Sequence, residues 1–327
     1  MSVIRRILVA IKEPEARPTA ALIKAAQLAR ALGAKLELFH AMTWPLYATW
    51  DTDFRQLQSQ ERARVSARLE RLAARLGGKG RQRPLRVSVA AAWDAPGYEA
   101  IIRRALAIHA DLIVAGRDGE RHIAPALLRF TDWELLRSSP VPVLLVKRRG
   151  AYRRPVVLAA VDPSHSLDKP ARLDRAILGV SETLSRALGG RLHAVHAYGA
   201  VPDGMHPADA LDAETAAALN RKLEAEAFKR YDRLVDRYDI PRARRHLLAI
   251  PPAEAIEDVA ARLRADIVAL GAISRSGWQR LLVGNTAEAV LDPLSCDLLI
   301  VKPAHFRVRI PRRATGPRYR ANILFTP

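Results

Sequence analysis

The sequence predicts two tandem α/β domains, each a doubly wound parallel five-stranded sheet. Two observations predict this: the chain repeats itself, and each repeat alternates short apolar strands with amphipathic helices. Residues 30–41, RALGAKLELFHA, return as residues 186–197, RALGGRLHAVHA, 156 positions on. ADLIVAG at 110–116 returns as ADIVALG at 265–271, 155 positions on, and Glu99-Ala-Ile returns as Glu254-Ala-Ile at the same offset. Gly116 to Lys147 and Gly271 to Lys302 both span 31 positions and end in VPVLLVK and CDLLIVK. Matched blocks in constant order at a near-constant offset mark a duplication.

Within the first repeat, residues 4–11 form an apolar strand and residues 19–32 an amphipathic helix stopped by Gly33. A strand over 35–40 follows, then a long polar helix over 54–76, a strand over 85–91 and a helix over 98–107. A strand over 112–115, a helix over 132–137 and a strand over 143–146 complete the repeat, and the second repeats this order over 156–301. Nearly continuous β-branched strands separated by helices argue for a parallel sheet covered on both faces. The right-handed crossover rule then makes each repeat doubly wound. The expected domains are residues 1–148 and 154–303, joined by a short basic linker and followed by a basic tail over 304–327, an extended appendage.

Hydrophobic residues make up 49% of the chain and aromatics only 6%, which suits aliphatic cores. Cys296 is the one cysteine, so no internal disulfide forms and no oxidising compartment is implied. The apolar run 7–11 is too short for a signal-peptide core, and no apolar stretch is long enough to span a bilayer. A soluble cytoplasmic protein with no membrane partner is expected. The formal charge is +19, and 44 of the 53 basic residues are arginine. Such a chain can hold nucleic acid through counterion release. Many of the arginines alternate with acids, as at Glu61, Arg62, Arg64, Arg68, Glu70 and Arg71, which is the pattern of a solvated helix face. No recognised nucleic-acid motif accompanies the charge.

In an open parallel sheet, ligands bind beyond the carboxyl ends of the strands where strand order reverses. In the second repeat those ends carry Asp162 and the segment from Gly271 through Ser274 to Gly284, Asn285 and Thr286. Glycines let backbone N–H groups approach phosphate oxygens, and a helix N-terminus adds its dipole. The aspartate can accept a hydrogen bond from an adenine or a ribose. The same residues also fit a simpler purpose, because Asn285 followed by Glu288 is a capping box and glycines serve tight turns. In the first repeat Lys12 replaces Asp162 and Arg129 replaces Gly284, with Thr131 and Glu134 as the corresponding capping box. A nucleotide is not expected there in the usual manner.

FTDWELLRSSPVPVLLVK in the first repeat and LLVGNTAEAVLDPLSCDLLIVKP in the second resemble the universal stress protein family, in its tandem UspE-like branch. The resemblance covers residues 4–303. It implies a Rossmann-like, adenine-nucleotide-alpha-hydrolase-like fold and a role in surviving stress such as DNA damage or starvation. Nucleotide-binding members share Gly-x-x-Gly, nine residues, then Gly-Ser/Thr, with an aspartate after the first strand. Asp162, Gly271 and Gly284 match that pattern, while Ser274 and Asn285 depart from it and Thr286 supplies a hydroxyl one position late. ATP in the second repeat is thus implied by one part of the pattern and opposed by another. The resemblance also implies that strands 143–146 and 298–301 pair within one chain as a pseudo-twofold pair, with a further homodimer conceivable.

One cysteine excludes a zinc-type ligand set. His40 and His196 occupy equivalent strand ends, where a structural histidine repeated by duplication competes with a metal or base role. His193 and His196 point to opposite faces of one strand and cannot chelate together. No nucleophile–base pair is evident, so no catalytic residue and no metal is assigned. Three readings stand: a non-catalytic stress protein sensing a ligand or acting through a protein partner, an ATP-dependent switch with at most slow hydrolysis in the second repeat, and a basic nucleic-acid-associated protein.

Overall fold

The computed structural model describes residues 3–14, 17–42, 54–76, 84–117, 125–164, 172–200, 213–272, 285–304, 306 and 310–311. Contacts divide the chain into two compact units, Arg5–Val141 with Arg307–Pro327, and Met1–Ile4 with Pro142–Phe306.

The first of these holds β1 (Arg6–Ala10), α1 (Ala20–Leu32), β2 (Lys35–Met42), α2 (Phe54–Arg75), β3 (Val87–Trp93), α3 (Gly97–Ala107), β4 (Leu112–Gly116) and α4 (Pro125–Ser138). Its strands run in the order β3-β2-β1-β4, and β1 is parallel to both β2 and β4. That order places the reversal between β1 and β4. Right-handed crossovers then put α1 and α2 on one face and α3 and α4 on the other. Helix α1 starts where the Thr19 hydroxyl accepts the Leu22 N–H at 3.3 Å, and ends at Gly33, whose φ of 68° suits a residue without Cβ. Its apolar side, Leu22, Ala25, Leu28 and Ala29, is wholly buried against β1 and β4.

The other unit holds β5 (Val143–Val146), β6 (Val156–Ala160), α5 (Leu173–Ala187), β7 (Arg191–Ala197), α6 (Ala213–Val235), β8 (Arg245–Leu248), α7 (Pro252–Leu263), β9 (Ile267–Gly271), α8 (Asn285–Leu291) and β10 (Asp297–Val301). Its order is β5-β10-β9-β6-β7-β8, with the reversal between β6 and β9. Every strand in it is parallel to its neighbour except β5, which runs antiparallel to β10 with Leu145 opposite Leu298 and Val143 opposite Ile300. The last strands of the two repeats therefore pair, as the resemblance implies. The two compact units do not coincide with the two repeats, since β5 of the first repeat lies with the strands of the second.

Duplicated sequence becomes duplicated structure. Asp111 accepts the N–H of Arg5 and Arg6 at 2.7 and 2.9 Å, and Asp266, its counterpart, accepts the N–H of Val156 at 2.9 Å. The aspartate of each ADL/ADI block thus satisfies the donors that enter β1 or β6. At Gly190 a Cβ would stand 2.2 Å from the Pro155 carbonyl oxygen, so only glycine lets the chain pass there into β7.

One expectation needs correction. Residues 132–137 belong to a longer helix, α4, which begins at Pro125, and Thr131 lies inside it instead of capping it. Thr131 is therefore not the N-cap that a Thr131–Glu134 capping box requires, and Glu134 pairs with Arg137 one turn on. Proline at the first helical position, with its φ preset and no N–H to satisfy, moves the start forward. One described residue of the tail is tied down, because the Pro311 carbonyl accepts a hydrogen bond from Arg103 Nη1 at 3.0 Å. Asp94 and Glu99 hold that guanidinium at 2.6 and 2.9 Å.

The linker is anchored as well. Asp297 is fully buried, and its Oδ1 accepts the N–H groups of Lys147 and Arg148 at 2.8 and 2.9 Å. Its Oδ2 accepts the hydroxyl of buried Tyr152 at 2.5 Å. Lys147 Nζ donates to the carbonyls of Leu291 and Leu294, where α8 ends. Asp297→Ala should cost about 2–4 kcal/mol, because three donors lose a buried charged acceptor. Tyr152→Phe, which removes one neutral donor, should cost about 1 kcal/mol. Urea midpoints of the two variants check the order, and equal midpoints would show that the carboxylate does not carry the clamp.

Candidate functional site

Strand geometry places Asp162 and Gly271 together. β6 and β9 are adjacent and in register from Val157 opposite Ile267 to Ala159 opposite Ala269, so Asp162 and Gly271 follow at neighbouring carboxyl ends. The Asp162 side chain accepts the Ser164 hydroxyl, and its backbone N–H donates to Asp174 Oδ1 at 3.0 Å. Asp174 sits fully buried in the first turn of α5, so a second carboxylate fixes the loop that carries the first. A Cβ on Gly271 would lie 2.8 Å from Leu173 Cδ2 and 3.1 Å from Ile177 Cδ1. Both side chains are buried, so this glycine lets α5 pack closely on β9. Thr286 lies half-buried in the first turn of α8, which opens at Asn285. Ser274 and Gly284 lie outside the described residues, as does the Asn285 side chain.

The first repeat fills the equivalent position differently. Lys12 Nζ lies 3.0 Å from both carboxylate oxygens of Asp132 on α4. The two side chains are 24% and 14% exposed, so the pair is partly shielded and occupies the end of β1 with its own counter-ion. The residue aligned with Asp132 in the second repeat is Ala287. A lysine for Asp162 and an aspartate for Ala287 thus form one coupled change. The Arg129 side chain lies outside the described residues.

The strand-end histidines share one role. His40 Nδ1–H donates to the Ile11 carbonyl at 2.8 Å and His196 Nδ1–H to the Val161 carbonyl at 3.2 Å. In each repeat the same loop start also donates its N–H back, Ile11 to Phe39 at 2.8 Å and Val161 to Val195 at 3.0 Å. The imidazoles fasten the turn after the first strand to the second.

A pair that spacing does not reveal involves His193. Its Nδ1 lies 3.1 Å from His246 Nε2, with the rings 5.4 Å apart and inclined by 9°. Near-coplanar rings at that separation share one N–H···N bond edge to edge. The signal was absent because 53 residues separate the partners, which meet only through the β7–β8 pairing. Burial, then His246, Arg244 and Arg191, lower the His193 pKa to about 4. Burial and Arg262 lower that of His246 as well.

The model of the universal stress protein family matches residues 4–147 and 154–302. The chain belongs to the universal stress protein family. Curated relatives agree: Universal stress protein E of Escherichia coli K12 is 28% identical over 229 residues, 68% of this chain and 71% of the relative. The Haemophilus influenzae homolog is 29% identical over 214 residues, 65% and 68% of the two chains. A protein of unknown function from Pseudomonas aeruginosa PAO1 superposes with a TM-score of 0.66 at 25% identity, covering 92% of this chain and 93% of that one. A universal stress protein from Archaeoglobus fulgidus DSM 4304, at 15% identity and a TM-score of 0.56, shares the fold over 90% of this chain and 96% of its own. A tandem, UspE-like member of a stress-associated family is thus established. Among the described residues no helix is long and apolar enough to cross a membrane.

The histidine pair gives a pH dependence whose sign is fixed. A base whose folded pKa lies below its unfolded value of 6.5 contributes fully above pH 6.5, and that contribution is lost as pH falls toward about 4. His193→Gln should flatten the fall in unfolding free energy across this window by about 2 kcal/mol. An unchanged slope in denaturant titrations at several pH values would place the acid sensitivity elsewhere.

Proposed function

We propose that the protein is a non-catalytic stress protein that senses a ligand at the strand ends of its second repeat, the first repeat serving as a closed scaffold. The observation that carries this reading is the Lys12–Asp132 ion pair at the end of β1. It satisfies both charges at the position where Asp162 presents its carboxylate in the second repeat. Tying His40 and His196 to backbone carbonyls supports a structural role for the groups best suited to proton transfer there.

A nucleotide switch is favoured over other ligands by one feature, the pairing of Asp162 with the Gly271 strand end across the reversal of strand order. The Gly271 packing against α5 weakens that argument, because the glycine has a structural reason of its own. ATP is the ligand to test first.

Thermal unfolding across an ATP–magnesium titration checks the assignment. Ligand at about 100 times its Kd stabilises the native state by about 2.7 kcal/mol. The expected result is a saturable rise in Tm that Asp162→Ala diminishes and Lys12→Ala leaves in place. A rise that survives Asp162→Ala but vanishes in Lys12→Ala would move the site to the first repeat. No rise at millimolar ATP would remove the nucleotide and leave another ligand for the same strand ends.

A further inference from the structure

At the end of the sheet opposite Asp162, the unit that carries β5–β10 holds a cavity of about 620 Å³. That volume falls within the roughly 300–1,000 Å³ of small-molecule sites. Its lining has two chemically distinct parts. Ala260 and Ala261 of α7, with Pro293 and Leu294 from the turn between α8 and β10, make one side apolar. Arg148, just after β5, and Arg264, the residue that ends α7, bring two guanidinium-bearing side chains. Among the described residues Glu257 is the one acid on the lining, against two arginines. Cys296 also contributes, and burial raises its pKa to about 11, so it adds a neutral thiol.

Three further observations concern the lining. Arg264 ends α7 at φ 50° and ψ 49°, the left-handed turn that His109 makes at φ 52° in the first repeat, and it brings an arginine to the cavity where the first repeat has a histidine. Arg148 is half-exposed, with its guanidinium 3.7 Å from the Asp266 carboxylate. Comparison of the repeats adds the third. The first repeat has Leu106 where the second has Ala261, and Ile102 where the second has Glu257. The second repeat has thinned this helix face to methyl groups and placed charge beside it.

We propose that this cavity binds a small amphipathic organic anion, with its acidic head paired to Arg148 and Arg264 and its apolar body against Ala260, Ala261, Pro293 and Leu294. A planar guanidinium pair selects carboxylate, sulfonate or phosphate heads. The apolar wall requires a body that such a head alone lacks. The site is independent of the ligand assigned to the strand ends of the second repeat.

The test titrates the full chain with anilinonaphthalene sulfonate, an amphipathic aromatic anion, and follows its fluorescence. In parallel, the uncharged N-phenylnaphthylamine reports the apolar contribution, and inorganic phosphate reports the head alone. The expected result is saturable binding of one sulfonate dye per chain, at least about tenfold weaker for the uncharged dye and for the Arg148→Glu/Arg264→Glu variant. Ala261→Leu, which restores the first repeat's residue on a solvent-facing helix position, should reduce binding with the melting temperature unchanged. Asp162→Ala should leave it intact, which separates this site from the one at the strand ends. Equal binding of the uncharged dye would overturn the proposal, and so would full binding by Ala261→Leu. Displacement of the dye by millimolar phosphate would overturn its apolar half.

Discussion

The pairing of β5 with β10 is the constraint on which the rest depends. It joins the last strand of one repeat to the last strand of the other, and Asp297 at the start of β10 fixes its geometry. A fully buried carboxylate must find donors, and here the linker supplies them: two backbone N–H groups and a tyrosine hydroxyl. Lys147 completes the arrangement by satisfying two carbonyls at the end of α8, so the last helix of the second repeat is held by the last strand of the first. The pairing also removes two exposed strand edges rich in Val, Leu and Ile.

The two repeats share some features and differ in others. Features concerned with folding recur: the aspartates at 111 and 266, the left-handed glycines at 33 and 189 (φ 68° and 61°), and the histidines at 40 and 196 that hold one loop to the next strand. The charged residues just after the first strand of each repeat do not recur. One repeat neutralises itself with Lys12 and Asp132, while the other leaves Asp162 to a serine hydroxyl and a backbone loop fixed by Asp174.

The architecture was legible because it rests on local patterns. Apolar runs, helix-stopping glycine and the repeat itself gave every strand and helix of the first repeat within a few residues, except where Pro125 started α4 early, and gave the order of the second. What could not be read were contacts between residues distant in the chain. The charge swap between Lys12 and Asp132 spans 120 positions, and the imidazole pair spans 53. The tail's return to Arg103 spans 208. Each depends on strand order and helix placement, which spacing along one strand does not encode. Gly271 shows the converse, a residue whose position matched a ligand pattern and whose surroundings give it a packing role too.

The order in which the strands are made has its own consequence. β5 leaves the ribosome about 150 residues before β10, the strand it pairs with. At about 5–20 residues per second, that edge waits roughly 10–30 s for its partner. During this interval a Val-Leu-Leu-Val strand is exposed to other nascent chains. The linker beside it carries Arg148, Arg149, Arg153 and Arg154, like charges in the flanking position where charge opposes edge-to-edge association.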